Sequence, residues 1–540
     1  MNTLIKDGLI IDGSGRPGFK GSILFQDRKI AAVMRKGEQL PSADSVIEAP
    51  GLAVAPGFID MHSHADWVLP SEQHPEILKC LVEQGVTSIV GGNCGISPAP
   101  KVKPSNEHVE KLAAIAIASP FDYQWKSMGE YLACMAEHEP IVNLAELVGH
   151  AAIHYSAAET LRGELAPEEK KNCLAATEKA LSEGACGLSF GLGYDPGMYT
   201  PMEEMEAYCS VAAQLDKPVT VHLKALSRLS PCYPMTTPKA HNVLALEEML
   251  NIARQTGIKL QLSHFIFVGR RSWPTVDACL ELVEEARRDG VDVMIDAFPY
   301  TCGNTTILAP FPYWFLAGMP DAYNSFWARA RLRAELGVGL RLVGFIYKDF
   351  QIMDAAVEGW EGLNGLRINQ VAEKWGCSPF NAMLRLAQES NGAALMLFHT
   401  YSGGDGNEKP LQQVLSHDLC LFETDVAIKA SGFPNPAALG TFPRILGTYA
   451  RDKGIFSVEN AVMRMTSASA DRFDLKHIGR LQPGKAADLV LFDPDKIADS
   501  PPAKHGPYGK PKGIHHVFIN GVHVVRDGSY IPGVRAGRVL

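Results

Sequence analysis

The chain has 540 residues, 46% of them hydrophobic and 21% charged, with 51 basic and 60 acidic side chains and a net charge of −9. That is the composition of a globular enzyme, long enough for one large barrel plus a smaller second domain. It carries no basic run of the nucleic-acid-binding kind and no apolar run near the ~18 residues of a membrane span, so neither nucleic acid nor membrane is an expected partner.

Residues 1–50 read as short strands and turns: TLIKDGLIID, GSGRPG, GSILFQD and KIAAVM. The opening MNTLIKDGLIIDGSGRP lacks the long apolar core of a signal peptide. Eleven dispersed cysteines without a C-x-x-C pair suit reduced thiols, and a cytoplasmic protein is expected. The tail, ADLVLFDPD, HHVFINGVHVV and RDGSY, resembles the first segment. Both ends alternate apolar residues and turn at N-G or D-G. Neither end could hold a sheet alone, so residues 1–55 and 480–540 are expected to pair into one small β domain, a sandwich.

Between them, residues 56–479 alternate strand-like and helix-like runs. After the opening LAVAPGFID come TSIVGG (87–92), VNLAELVG (142–149), CGLSFG (186–191), PVTVHL (218–223), KLQLSH (259–264), VDVMIDAF (291–298), AALMLF (393–398) and LCLFET (419–424). LALEEMLNIARQ and TVDACLELVEEARRDG carry apolar residues at helical spacing. The alternation predicts a parallel sheet, and the length predicts an α/β fold built on a (β/α)8 TIM-like barrel. Nine runs compete for eight places. A Pro- and aromatic-rich stretch around 305–352 reads as an inserted subdomain.

Barrel chemistry gathers at the C-terminal ends of the strands. Those ends carry His62 and His64 (IDMHSH), Cys94 (GGNCG), His222 (VTVHL), His264 (LQLSH) and Asp425 (LFETD). Residues i and i+2 of a strand share a face, so His62 and His64 project together. An isolated His-x-His is more often a pair of surface histidines, and a single buried His or Cys is usually a core residue. Six ligand-type residues at the ends of five strands are harder to explain so. Imidazoles and a thiolate suit zinc better than magnesium or calcium. Such an ion activates water towards a carbonyl, and Asp425 could both ligate and carry the proton to the leaving group.

The order PGFIDxHxH, barrel, Asp, GxLxxGKxADLVLFDP and a closing β segment resembles the amidohydrolase superfamily. GGNCGIS, GLSFGLGYDPG, DAFPYTCG and LGTFPRILGTY resemble its N-acyl-D-amino-acid deacylase (D-aminoacylase) branch, over essentially the whole chain. The resemblance implies a tight zinc site from Cys94, His222 and His264, with Cys94 in place of the carboxylated lysine or glutamate of relatives. It implies a second, weaker site at His62 and His64, with manganese as an alternative ion, and Asp425 beside the reactive water. His150, in LVGH, matches a family position and is read as structural.

The departures bear on substrate. The arginine of the family's H-P-R segment, which holds the substrate carboxylate, is matched by Ala437 in Asn435-Pro436-Ala437. The tyrosine opening the family's YPY is Phe298, the serine beyond it Asn304, and the lysine two residues after the later histidine Ile266. FHTYSG (398–403) replaces a stretch ending in Glu and brings His399 and Tyr401 near the pocket. Lys224, Arg228, Arg270 or Arg271 could supply another anchor, although an exposed basic face is the commoner role.

Three functions follow. The first is metal-dependent hydrolysis of a small-molecule amide, with the usual carboxylate anchors missing. The second is hydrolytic carbon–carbon ring opening of a neutral cyclic dione, as by a dihydrophloroglucinol cyclohydrolase. The third is a non-catalytic scaffold, disfavoured because all six ligand-type residues are present. The expected partner is a small-molecule substrate, and a homo-oligomer is compatible with the sequence.

Overall fold

The computed structural model describes residues 2–102, 107–119, 121–404, 406–502 and 506–540. Its centre is a sheet of eight parallel strands whose spatial order follows the chain: Phe58–Asp60, Val86–Gly91, Asn143–Gly149, Gly187–Gly191, Pro218–His222, Lys259–Leu262, Val293–Ala297 and Cys420–Phe422. Every neighbouring pair is parallel. The second and third strands are buried at every residue. That is the result of covering both faces, and it explains why these runs read as continuous rather than alternating. The seam between the last strand and the first is bridged just beyond their ends. Asp425 N donates to His62 O at 3.0 Å, and Thr424 donates to the buried Asp60 carboxylate through N (2.9 Å) and Oγ1 (2.6 Å). The result is a nearly closed (β/α)8 barrel.

The helices that return the chain are amphipathic. His241–Thr256 buries Ala245, Leu246, Met249, Leu250 and Ala253, at 3–4 spacing, against the barrel. It stops where Gly257 takes a left-handed φ of 71° and its N–H bonds Ala253 O at 2.9 Å.

Strands from both chain ends form one nine-stranded sheet, in which Ala53–Pro56 lies antiparallel to Leu489–Phe492. Its hairpins turn where the sequence carries short polar pairs. Asp27 and Arg28 have φ of 48° and 74°, Asn520 and Gly521 50° and 77°, and Asp527 and Gly528 50° and 71°. Positive φ at both central residues matches the right-handed twist of the paired strands.

The competition among nine runs resolves in the insert. AALMLF forms the strand Leu395–His399, which lies antiparallel between Cys302–Thr306 and Phe350–Asp354 in a separate three-stranded sheet. The insert is therefore longer than the 305–352 expected, running from Cys302 to His399. Its helices, among them Phe326–Val343 and Pro379–Glu389, pack with this sheet around a core of their own that includes Phe315, Leu332, Phe350, Val371, Met383 and Met396. AALMLF is apolar because it is the middle strand of that core, and a short apolar run carries no mark of which sheet it joins.

Candidate metal centre

Each of the six ligand-type residues lies at the same end of the barrel, brought there by the strand or turn that precedes it. His62 and His64 follow the first strand and are 1% and 7% exposed. Cys94 follows the second and is buried, on a turn where its own φ is 56° and those of Gly92 and Gly95 are 72° and 73°. A Cβ on Gly92 would stand 2.1 Å from Leu147 O, so the turn can lie against the third strand only with glycine there. His222 ends the fifth strand. His264 and Asp425 follow the sixth and eighth with φ of 31° and 45°. Left-handed backbone at three such residues is costly and persists only where surrounding contacts hold it, as is common at functional sites.

The side chains converge on Cys94. Its Sγ lies 3.4 Å from His62 Nε2, 3.5 Å from His264 Nε2 and 3.8 Å from His222 Nδ1. Asp425 Oδ1 is 3.5 Å from both His62 Nε2 and His64 Nε2. Two overlapping donor sets result, Cys94–His222–His264 and His62–His64–Cys94–Asp425, each with its donor atoms within 4.8 Å of one another. Cys94 belongs to both. Two ligands on a tetrahedral zinc, at about 2.3 Å for sulfur and about 2.0–2.1 Å for nitrogen, stand roughly 3.5 Å apart. The sulfur–nitrogen distances here match that span, so the residues fit a transition-metal ion.

The electrostatics agree. Burial alone would raise the Cys94 thiol, but His62 and His264 outweigh it and hold the group well below its ordinary value, as thiolate. Burial likewise opposes ionisation of Asp425, and His264, His64 and His62 overcome it to keep the carboxyl below its usual range. His64 is pushed up to about 10, its burial outweighed by Asp425 and Cys94. His222 is lowered, by burial and by the neighbouring His264. A thiolate and a carboxylate among four imidazoles form a place for a cation.

Two further residues hold this arrangement, and neither was singled out from sequence. Asp296, buried on the seventh strand, accepts from Gln261 Nε2 at 2.7 Å and from the His264 backbone N–H at 2.6 Å. Its other role is toward His62, whose Nδ1 lies 3.6 Å away. A carboxylate behind a ligating imidazole fixes its ring and tautomer. A lone Asp inside VDVMIDAF was the available signal. Tyr194 donates its hydroxyl to Cys94 O at 2.5 Å and sets its ring 5.1 Å from that of His222. Nothing in GLGYDPG marked it.

The positions that depart from the deacylase pattern do not scatter. Ile266, Phe298 and Ala437 pack with Tyr300 and Cys302 in one buried apolar cluster, against which Tyr401 and Val268 lean. Burial, and then the Asp425 charge, raises the Tyr401 hydroxyl and keeps it protonated. Asn304 accepts from Asn435 Nδ2 at 2.9 Å. His399 and Arg270 line a different, polar cavity of about 350 Å³ with Thr301, Lys348, Asp349 and Arg367. There Arg270 makes a two-point ion pair with Asp349, at 2.6 and 2.9 Å. His399 lies 2.9 Å from Gln351 Oε1, and burial lowers it to about 3, so it is neutral.

No family model matches the chain. Individual relatives do. It is 30% identical to N-acyl-D-glutamate deacylase of Alcaligenes xylosoxydans xylosoxydans over 543 residues, covering 100% of this chain and 96% of that protein. It is 29% identical to D-aminoacylase of the same organism, covering 100% and 97%. The crystal structure of N-acyl-D-glutamate deacylase from Bordetella bronchiseptica, complexed with zinc and a phosphonate inhibitor, superposes with a TM-score of 0.78 at 28% identity, over 100% of this chain and 99% of that one. A D-aminoacylase crystal structure gives 0.79 at 28%, with the same coverage. With the barrel and its cluster of six, these likenesses make the chain a member of the D-aminoacylase branch of the amidohydrolase superfamily, and a metal-dependent hydrolase.

Proposed function

We propose that the enzyme hydrolyses the amide bond of a small, uncharged, cyclic substrate, with zinc held by Cys94, His222 and His264 and a second, weaker position at His62 and His64. The apolar cluster of Ile266, Phe298 and Ala437 carries this reading. The deacylase relatives support the C–N chemistry, and one of them was crystallised with zinc. When bound, the ion would polarise the substrate carbonyl and ease ionisation of water beside it.

The chain's own residues do the rest. Asp425, ionised and aimed at the donor sets, takes the proton of the attacking water and returns it to the departing nitrogen. His64 steadies the Asp425 charge. Asp296 and Tyr194 hold His62 and the Cys94 turn in place. Ile266, Phe298 and Ala437 stand where the family pattern carries its carboxylate anchors and offer neither charge nor hydroxyl, so a substrate carboxylate brought there would lose water and gain no ion pair. Breaking a buried ion pair costs on the order of 3–5 kcal/mol, more than a hundredfold in binding.

The same apolar positions would suit a cyclic dione, for which water attack on a ring ketone leads to carbon–carbon cleavage, and this is the second reading. Eleven dispersed cysteines, most of them buried, support a reducing compartment such as the cytoplasm. Among the described residues no helix is long and apolar enough to cross a membrane. We expect a small-molecule substrate as the partner.

Steady-state kinetics on N-acetyl-D-methionine, neutral cyclic amides and cyclic diones tests the proposal. Efficient D-selective deacylation of the charged compound would refute the neutral-substrate reading. Turnover of the diones alone would replace the amide reading with the second.

A further inference from the structure

Behind the Cys94 turn lies a second convergence of ligand-type side chains. His150 and His154 stand one turn apart on the helix His150–Ala157 and so share a face. Glu204 approaches from the helix Met202–Gln214. The three residues are 1%, 2% and 3% exposed, and each offers a donor atom within 4.8 Å of the other two. Phe190 and Tyr208 close round them, with ring centroids 5.2 and 5.1 Å from that of His150.

Two of the imidazole nitrogens in this pocket, His150 Nε2 and His154 Nδ1, are buried without a hydrogen-bond partner. A bare buried polar atom is costly, and two side by side call for an occupant. The tautomer of His154 is already set: its Nε2 donates to Thr160 O at 2.8 Å, which leaves the lone pair on Nδ1. An imidazole that gives one N–H to a backbone carbonyl and presents its other nitrogen bare is the usual form of a ligating histidine. Burial lowers both rings, His150 to about 3, so both remain neutral at neutral pH, as ligation requires.

The geometry points to a structural site for a borderline divalent cation, zinc above all, held by His150, His154 and Glu204 and separate from the catalytic cluster. Two imidazoles and one carboxylate are a recurrent zinc donor set, with the fourth position left for a water. Ligand atoms on such an ion stand about 3.3 Å apart, so donor atoms within 4.8 Å of one another need draw in by at most about 1.5 Å. The ion would tie the helix His150–Ala157 to the helix Met202–Gln214 at a sensitive place. Gly149 N donates to Ser97 Oγ at 2.9 Å and Ala151 N to Gly95 O at 2.9 Å, so the start of the His150 helix is fastened to the loop that carries Cys94. Bracing that helix braces the loop.

The test is zinc itself. Crystals of the full chain grown with zinc should show an anomalous peak at the zinc edge between His150, His154 and Glu204. After dialysis against a weak chelator, the folded double variant His154→Gln/Glu204→Gln should hold one equivalent of zinc fewer per chain than the wild type. The comparison is a difference, so it stands whether or not the Cys94 cluster binds as proposed. If the double variant does not fold, the wild-type anomalous map decides alone. Density without anomalous signal at this point, or equal zinc content in a folded variant, would mean that a buried water fills the pocket and would overturn the assignment.

Discussion

Replacing Asp296 by Asn tests how the metal centre is tuned. The substitution keeps the shape of the side chain and removes its charge. In the native protein the carboxylate accepts from Gln261 Nε2 and from the His264 backbone N–H, and it faces His62 Nδ1 at 3.6 Å. A carboxylate there favours a proton on Nδ1, which leaves Nε2 bare toward Cys94 (3.4 Å) and Asp425 (3.5 Å). An asparagine has one acceptor oxygen. Gln261 bonds Oδ2, whereas the His264 N–H and His62 Nδ1 both face Oδ1. An amide oxygen at Oδ1 therefore keeps the His264 bond but offers His62 no negative charge. An NH2 placed there meets His62 Nδ1 and favours the other tautomer, which carries its proton where a metal should sit. Loss of such a partner typically weakens metal binding tenfold to a hundredfold, or about 1.4–2.8 kcal/mol. Zinc dissociation constants from competition with a chromophoric chelator, with circular dichroism to confirm folding, measure the effect. A folded Asp296→Asn protein whose zinc affinity lies within twofold of wild type would show that Asp296 does not orient His62, and the argument would fail.

Cys94→Ala removes the one donor shared by both sets, so both should lose affinity together; metal analysis after gel filtration should find the catalytic equivalents gone, and full retention would discard Cys94 as a ligand. Asp425→Asn should fold normally yet lose roughly 10²-fold or more in turnover, the scale of a general acid–base group; a near-normal rate would remove Asp425 from proton transfer. His74 gives a pH effect on stability. It is fully buried, its Nε2 accepts the Ile141 N–H at 3.2 Å, and burial lowers it to about 4 against an ordinary value of 6.5. Between pH 6.5 and about 4 the unfolded chain therefore binds the extra proton, so stability rises with pH in that window and falls on acidification. From pH 7 to pH 5 the loss from this residue is about 2 kcal/mol. Urea midpoints should fall less steeply with acid in His74→Gln, and identical slopes would count against a neutral buried His74.

The chemistry was legible in sequence because it obeys short-range rules. A strand fixes which face His62 and His64 share, and strand ends in a barrel point one way, so the six ligand-type residues could be collected without coordinates. The hairpins at Asn520-Gly521 and Asp527-Gly528 were legible for the same reason. What sequence hid depends on partners far along the chain. AALMLF is as apolar as any barrel strand, and its place among the insert strands rests on neighbours about 45 and 90 residues away. Tyr194 matters through its contacts with Cys94 and His222, and Glu204 through its approach to His150 and His154. Such tertiary juxtapositions leave no local periodicity to read. The departures at Ile266, Phe298 and Ala437 could be noticed one at a time, but that they pack into a single buried cluster emerged only from the fold.

The insert from Cys302 to His399 has a hydrophobic core of its own, whereas the donor residues hang on barrel strands fastened by Asp60 and Asp296. The molecule thus joins a barrel that carries the donor residues to an appended module that packs on itself and whose edge, Cys302 and the flanking Tyr401, reaches the cluster of Ile266, Phe298 and Ala437. The two can drift at different rates. Substitutions inside the module core leave the barrel core and its donor residues in place, so 302–399 should tolerate sequence change that the barrel would not.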